Sequence, residues 1–337
     1  MTVILKIKKT APDEDKIARA ARVIKEGGLV AFPTETVYGL GADAFNPAAI
    51  EKIFIAKGRP RDNPLIVHIA DRSMLANLAR SFPRRARALS EKFWPGPLTL
   101  VLKKKAHVPA EVSAGLSTVA IRMPANPIAL SLIRAAGTPL VAPSANLSGR
   151  PSPTRARHVR EDLGGLIDLI IDGGSTPIGM ESTVVDFTGR YPKILRPGAV
   201  TAAQIEAIIG PVIPAGERED TFQPKSPGMK YRHYAPRARM ILVEGEDFRE
   251  KICTLITEAG RERKIAVIGF HQDSRYDNCL FVHAGARSRT VARRLFGILR
   301  ELDSQGVELI ISEPYPARDG LDLMILDRLR KAAGAEG

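Results

Sequence analysis

Apolar and polar residues along this chain alternate with two periods, one helical and one extended, and the period switches many times. From Asp13 to Lys25 the apolar residues Ile17, Ala20, Ala21 and Ile24 recur at helical spacing with charges between them. Gly27-Gly28 stops that helix, and LVAF at 29–32 follows as a short buried strand broken by Pro33. The pattern then predicts a helix over 47–57. It predicts strands over 65–69, 98–103, 119–123, 139–144, 166–172, 182–187 and 193–196. Further helices are expected at 73–79, at 83–93 and at 201–209, where Thr201 is the N-cap. Several neighbouring strands have no helix between them, which argues for a mixed α/β sheet over a purely parallel one. The opening MTVILKIKKT has a short alternating pattern and reads as a first strand, not as a signal peptide.

Residues 211–238 break the rhythm. Five prolines fall there among glycines and charges, and the segment ends in SPGMKYRHYAP, which is aromatic for a plain tether. The chain therefore divides into a first domain over 1–210, a Pro-rich linker and candidate lid over 211–238, and a second domain over 239–337. In the second domain, strands at 239–245, 264–270, 279–285 and 307–312 alternate with helices at 247–259, 288–304 and 321–333. That order suits a small parallel, Rossmann-like sheet with flanking helices, although it carries no GxGxxG fingerprint.

Composition narrows the partners. Lys plus Arg number 50 against 37 acids, a formal net charge of +13. The excess suits a nucleotide or a nucleic acid. Cys253 and Cys279 are the two cysteines and form no CxxC pair, so a disulfide framework or thiolate zinc site is not expected. A reduced, cytoplasmic setting is the expectation. No apolar run approaches the roughly 20 residues that a membrane span needs.

P-loop, HExxH, GxSxG and EF-hand patterns are all missing. Chemistry instead gathers at strand ends. KGRPRDNPLIVH (57–68) packs Lys57, Arg59 and Arg61 into a proline-stiffened loop, where alternate cations either bind an anion or make a solvated basic turn. PTETVYGLG (33–41) carries threonine hydroxyls beside glycines; it can grip a polar ligand, or serve only as a turn from a strand into a helix. STVAIRMP (117–124) puts Thr118 and Arg122 on one face of a strand, so Arg122 needs a ligand anion or a structural carboxylate. APSANLSG (142–149) brings Ser144 and Asn146 together, and Ser152 extends that polar lip. ESTVVD (181–186) and RPG (196–198) add Ser182 and Arg196. Beside the Lys57 loop, the other five segments lie at strand ends and point to one shared polar cleft. Trp94 reads as a core anchor, and His68 as either a core histidine or a ligand contact.

Taken together, PTETVYGL, the Lys-x-Arg of KGRPRDNPLIVH, WPGPLTLVL, the Ser-x-Asn of APSANLSG, ESTVVD and LRPGA resemble the threonylcarbamoyl-AMP synthase (YrdC-like) family. SPGMKYRHYAP and the C-terminal GLDLMILDRLRKAA resemble its longer, two-domain form. The resemblance implies a mixed, twisted α/β sheet of YrdC-like type with a smaller α/β domain. It also implies condensation of L-threonine, bicarbonate or CO2, and ATP with Mg²⁺ into threonylcarbamoyl-AMP and pyrophosphate. A separate transferase complex would use that product for t6A modification of tRNA. Carried over residue by residue, Lys57, Arg59, Ser144 and Asn146 are the expected catalytic set. Arg59, Asn63, Thr118, Ser144, Ser152, Arg196 and His233 are expected at ATP. Thr36, His68, Arg122, Ala142 and Ser182 are expected at threonine, with Ala142 acting through its backbone. No metal ligand is expected from side chains. The chain departs from the family at Asn126, where a His is often found, and at Asp327-Arg328, where Asn-Arg is common.

Two other functions compete. A carbamoyl transferase of the hydrogenase-maturation type shares the first domain, but its acylphosphatase and zinc-finger segments are missing from this chain. An RNA-binding module using a basic face predicts salt-sensitive RNA binding and no ATP turnover.

Overall fold

The computed structural model describes residues 1–215, 234–260, 262–271, 273–318 and 320–334. The chain divides into two compact units, Met1–Ser148 with Ser152–Lys230, and Gly149–Pro151 with Tyr231–Gly337.

The first unit begins β1 (Val3–Lys6), α1 (Glu14–Lys25), β2 (Val30–Pro33), β3 (Tyr38–Asp43), α2 (Pro47–Lys57) and β4 (Ile66–His68). After a 3-10 helix at Arg72–Asn77 come α3 (Arg84–Phe93), β5 (Leu98–Lys103), α4 (Ala110–Ser113), β6 (Thr118–Arg122) and α5 (Pro127–Ala136). The unit ends with β7 (Leu140–Val141), α6 (Ala156–Leu163), β8 (Leu169–Asp172), β9 (Thr183–Asp186), β10 (Lys193–Arg196) and α7 (Ala202–Ile209). Local signals fix many ends. Asp13 caps α1 by accepting from Lys16 N at 3.1 Å. Asn46 caps α2, Pro47 opens it and Gly58 closes it in the left-handed region. Thr201 and Gln204 form a capping box on α7.

The strands form one ten-stranded mixed sheet in the order β1-β8-β2-β3-β7-β4-β6-β5-β9-β10. Alternation along β2 separates its faces. Ala31 joins the larger core, whereas Val30 and Phe32 join the core beneath α1 and α5. On that second face the two helices cover only part of the sheet. Register then places His68, Arg122, Thr99 and Val184 in one row across β4, β6, β5 and β9. Among the described residues a small apolar patch of Ile66, Val101, Ala120, Val184 and Leu195 lies beside that row. The polar row thus lies on a stretch of this face outside the core beneath α1 and α5, and His68, Thr99 and Arg122 are buried there.

Two glycines of β3 shape this face. A Cβ on Gly41 would lie 2.7 Å from the Phe32 ring, and one on Gly39 would lie 3.1 Å from Ala142 Cβ. Gly41→Ala is expected to cost about 1–3 kcal/mol by overpacking. A urea unfolding midpoint equal to the parent's would show that Phe32 can move aside.

Several elements differ from the periodicity reading. Residues 33–41 form a β-hairpin turn and the start of β3, not a turn into a helix. The hydroxyl of Thr34 closes that turn on Val37 O at 2.7 Å, which local spacing alone does not reveal. The expected strand at 139–144 shrinks to Leu140–Val141, because Pro143 has no amide N–H to extend the ladder. The helix expected at 73–79 is a 3-10 turn, capped by Asp71. Helices α5 and α6 were not anticipated. Asn126, at a family departure, caps α5 through Ile128 N at 2.9 Å.

The second unit contains β11 (Arg239–Leu242), α8 (Phe248–Ala259), β12 (Ile265–Gly269), β13 (Leu280–His283), α9 (Ser288–Ser304), β14 (Leu309–Ser312) and α10 (Leu321–Ala333). All pairings are parallel in the order β11-β14-β12-β13. Tyr234 is buried in this unit. Its ring stacks on Phe296 at 5.1 Å and lies beneath the guanidinium of Arg328, 5.0 Å from the ring centroid. Arg328 is fully buried beside Asp327, so this departure from the family pattern is an ion pair within the packing. Cys253 and Cys279 are free thiols. No helix among the described residues is long and apolar enough to cross a membrane.

Candidate active site

The site begins at the row across the sheet. Arg122 is buried, and its guanidinium has three partners. Nε donates to Gly96 O at 3.2 Å, Nη1 to Thr36 Oγ1 at 2.9 Å and Nη2 to Glu35 Oε1 at 2.5 Å. A guanidinium has five N–H groups, so two remain uncommitted among the described residues. The hairpin turn after β2 supplies Glu35 and Thr36. The Thr34 hydroxyl spends its proton on Val37 O, so Thr36 must donate to Thr34 across their 2.8 Å contact. With its proton committed, Thr36 presents only acceptor capacity to a ligand.

His68 faces the same row, with its ring edge-on to Phe32. Its Nδ1 lies 3.2 Å from Ile66 O. A carbonyl only accepts, so Nδ1 carries the proton and Nε2 is the acceptor. Burial, and then the charge of Arg122, lower the His68 pKa to about 3. The ring is therefore neutral across the physiological range. An unfolded histidine titrates near 6.5, so folding stability should fall as pH drops below that value and level off near 3. His68→Gln should flatten this slope in unfolding experiments between those limits. An unchanged slope would assign it to other groups.

Farther along the row, Thr99 and Ser182 share a hydrogen bond of 2.7 Å. Arg196 donates to Ser182 O through Nε at 3.2 Å and through Nη2 at 3.0 Å, and Nη2 also reaches Ser182 Oγ at 3.1 Å. Thr36, His68, Arg122, Ser182 and Arg196 thus come together as one connected surface.

A second cluster forms around Lys57. This residue is the last of α2, where the predicted helix over 47–57 also ends, and it is buried. Nζ donates to Ser144 O at 2.6 Å and Asn146 O at 2.5 Å, while Ser148 N donates to Lys57 O at 2.9 Å. Ser144 also bridges to Gly39 of β3, and Ala142 donates its N–H to Ile66 O at 2.9 Å. Arg59 folds over its own loop onto Asn63 O at 3.3 Å and Pro64 O at 3.0 Å. Arg61 pairs with Glu51 of α2 and is exposed. The three cations therefore do not converge on one anion, because each has protein partners. Asn63 is buried, and its Oδ1 has no partner among the described residues, so it is an acceptor poised for a donor.

Ser152 donates to Glu181 Oε1 at 2.6 Å, both side chains being buried. Thr118 shares the face of Arg122 at the far end of β6, about 13 Å away at the usual rise per residue. His233 and Tyr231 lie outside the described residues. Tyr234, the last aromatic residue of the candidate lid, has its ring packed between Phe296 and Arg328. The sequence reading did not single out Glu35, Thr99 or Glu181. Glu35 was findable in principle, since a cation in a buried strand demands a carboxylate and PTETVYGL contains one.

A ten-stranded mixed sheet carrying a row of buried polar and charged side chains on one face marks this unit as an α/β scaffold. Residues 22–198 match the family model described as Telomere recombination (Sua5, YciO and YrdC), and residues 200–334 match that of the threonylcarbamoyl-AMP synthase C-terminal domain. The Pyrococcus abyssi threonylcarbamoyl-AMP synthase is 50% identical over 339 residues, covering 99% of this chain and 98% of that protein. The Bacillus subtilis threonylcarbamoyl-AMP synthase is 49% identical over 328 residues, covering 96% and 94%. A crystal structure of P. abyssi Sua5 complexed with L-threonine superposes with a TM-score of 0.91 at 48% identity, covering 99% of this chain and 98% of that one. The chain belongs to the threonylcarbamoyl-AMP synthase family in its two-domain form.

Proposed function

We propose that this chain condenses L-threonine, bicarbonate or CO2, and ATP to threonylcarbamoyl-AMP and pyrophosphate, with threonine held around Arg122 and ATP beside it. The observation that carries the assignment is Arg122. It is a buried cation locked on three sides with two N–H groups left over, and that is a receptor for a carboxylate. His68 offers Nε2 as an acceptor, and Thr36 and Ser182 line the same row, so these residues and Ala142 surround threonine. Arg59, Asn63, Thr118, Ser144, Ser152, Arg196 and His233 then serve ATP.

The threonine amine attacks CO2 and loses a proton, giving a carbamate. A carbamate oxygen attacks the α-phosphorus of ATP, and pyrophosphate leaves with the electrons of the broken P–O bond. No acyl-enzyme forms, so the chain needs no activated Ser or Cys. It needs positioning and charge neutralisation. Lys57 holds the Ser144–Asn146 loop in shape, while Arg59 and Arg196 add positive charge. Mg²⁺ would enter as part of the ATP substrate and would neutralise charge on its phosphates. Among the described residues no group of three or more His, Cys, Asp or Glu side chains gathers to bind a metal. The product passes to a transferase complex for t6A formation on tRNA, in the cytoplasm, and the net charge of +13 suits a contact with tRNA.

The test is direct. The protein is incubated with ATP, L-threonine, bicarbonate and Mg²⁺, and the mixture is analysed by mass spectrometry. Threonylcarbamoyl-AMP and pyrophosphate should accumulate together. Unconsumed ATP with tight, salt-sensitive RNA binding would favour the RNA-binding alternative.

A further inference from the structure

We infer that Glu35 is the positioning residue of the threonine subsite: its carboxylate fixes the plane in which Arg122 receives the amino-acid carboxylate. This inference rests on the reading of Arg122 given above and extends it to a residue with no assigned part in substrate binding.

The geometry is specific. Glu35 Oε1 accepts from Arg122 Nη2 at 2.5 Å, and Oε2 accepts from Ala125 N at 3.0 Å. One carboxylate therefore ties the hairpin turn after β2 to both Arg122 at the end of β6 and the loop that follows. Glu35 and Arg122 are both buried, with side-chain exposures of 9% and 5%. Arginine cannot shed its charge in such a place, so without Glu35 the guanidinium would be a bare buried cation. Gly96 O and Thr36 Oγ1 are neutral acceptors and supply no compensating charge.

Two consequences follow for substrate binding. First, three of the five N–H groups are anchored, so the remaining pair has a fixed direction before threonine arrives. Second, Arg122 is already neutralised, so it does not draw in any passing anion. The subsite then selects a carboxylate by hydrogen-bond geometry and not by bare charge. That matters in an enzyme whose own co-substrate is bicarbonate.

No other side chain meets the demand. Both Glu35 oxygens face donors, so an amide, with one acceptor and one donor, must set an N–H against an N–H. Aspartate keeps two acceptors but is one methylene short of holding both donors.

The experiment measures steady-state KM for threonine and for ATP, following pyrophosphate release. Glu35→Gln should raise the threonine KM roughly tenfold or more while the ATP KM moves less than about threefold. Chloride should compete with threonine in the variant and leave the parent nearly unaffected. In an Arg122→Lys background the same change should add less than about threefold, because the group it positions is gone. Equal rises in both KM values, or full additivity with Arg122→Lys, would overturn the inference. Should Glu35→Gln fail to fold, Glu35→Asp replaces it with an intermediate rise in threonine KM expected, and an unchanged threonine KM there overturns it equally. If the parent chain forms no threonylcarbamoyl-AMP, the proposed function itself fails. If the parent is active and Glu35→Gln shows no split, only the role of Glu35 fails.

Discussion

Lys57→Ala should lower pyrophosphate release roughly a hundredfold or more and destabilise the first unit by about 2 kcal/mol. Lys57 Nζ is buried, and it donates to the carbonyls of Ser144 and Asn146. Removing it strips two buried acceptors of a charged donor and frees the loop that places the Ser-x-Asn pair. Lys57→Met, which retains most of the packing but no donor, should lose a similar share of activity. Arg59 makes a useful contrast. It is half-exposed and folds onto carbonyls of its own loop. Arg59→Ala should therefore cost roughly tenfold to a hundredfold in rate and little in stability. Urea unfolding alongside a pyrophosphate assay separates the two behaviours. Pyrophosphate release equal to the parent's in both variants would remove this loop from the mechanism.

Arg122→Lys should raise the threonine KM by roughly thirtyfold or more and the ATP KM far less. Arg122 meets a carbonyl, a hydroxyl and a carboxylate with one rigid planar group and still has two N–H groups to offer. An ammonium has three N–H groups at a single point. It cannot reach Gly96, Thr36 and Glu35 together and also present a fork to the substrate. The Coulombic balance with Glu35 survives the change, so the folded state should persist and the loss should appear in amino-acid binding. Isothermal titration with threonine and with a non-hydrolysable ATP analogue distinguishes the outcomes. Equal losses for both ligands would mean that Arg122 supports the sheet and not the substrate.

Much of the architecture was legible from local patterns in the chain. Helical spacing at Ile17, Ala20, Ala21 and Ile24 gave α1, and those four residues are its buried face. In the second unit, the four strands and three helices read from periodicity all form, with α9 and α10 at the expected bounds. Such signals are local, since propensity, caps and periodicity act within a few residues and need no distant partner. The site residues were also legible, because Ser, Thr, Asn and Arg at strand ends are unusual wherever they occur. Their partners were not. Glu35 finds Arg122 across 87 positions, Lys57 finds Asn146 across 89, and Ser182 finds Thr99 across 83. Those meetings depend on strand order, which places β6 between β4 and β5 and sets β9 beside β5. Tertiary structure also decided that Lys57 pins a loop, that Arg61 turns outward to Glu51, and that Tyr234 packs into the second unit. A cation in a sequence states only that an opposite charge or an acceptor is needed. Which group answers it is fixed by the long-range register of the sheet, where burial makes an unmet charge too costly to leave.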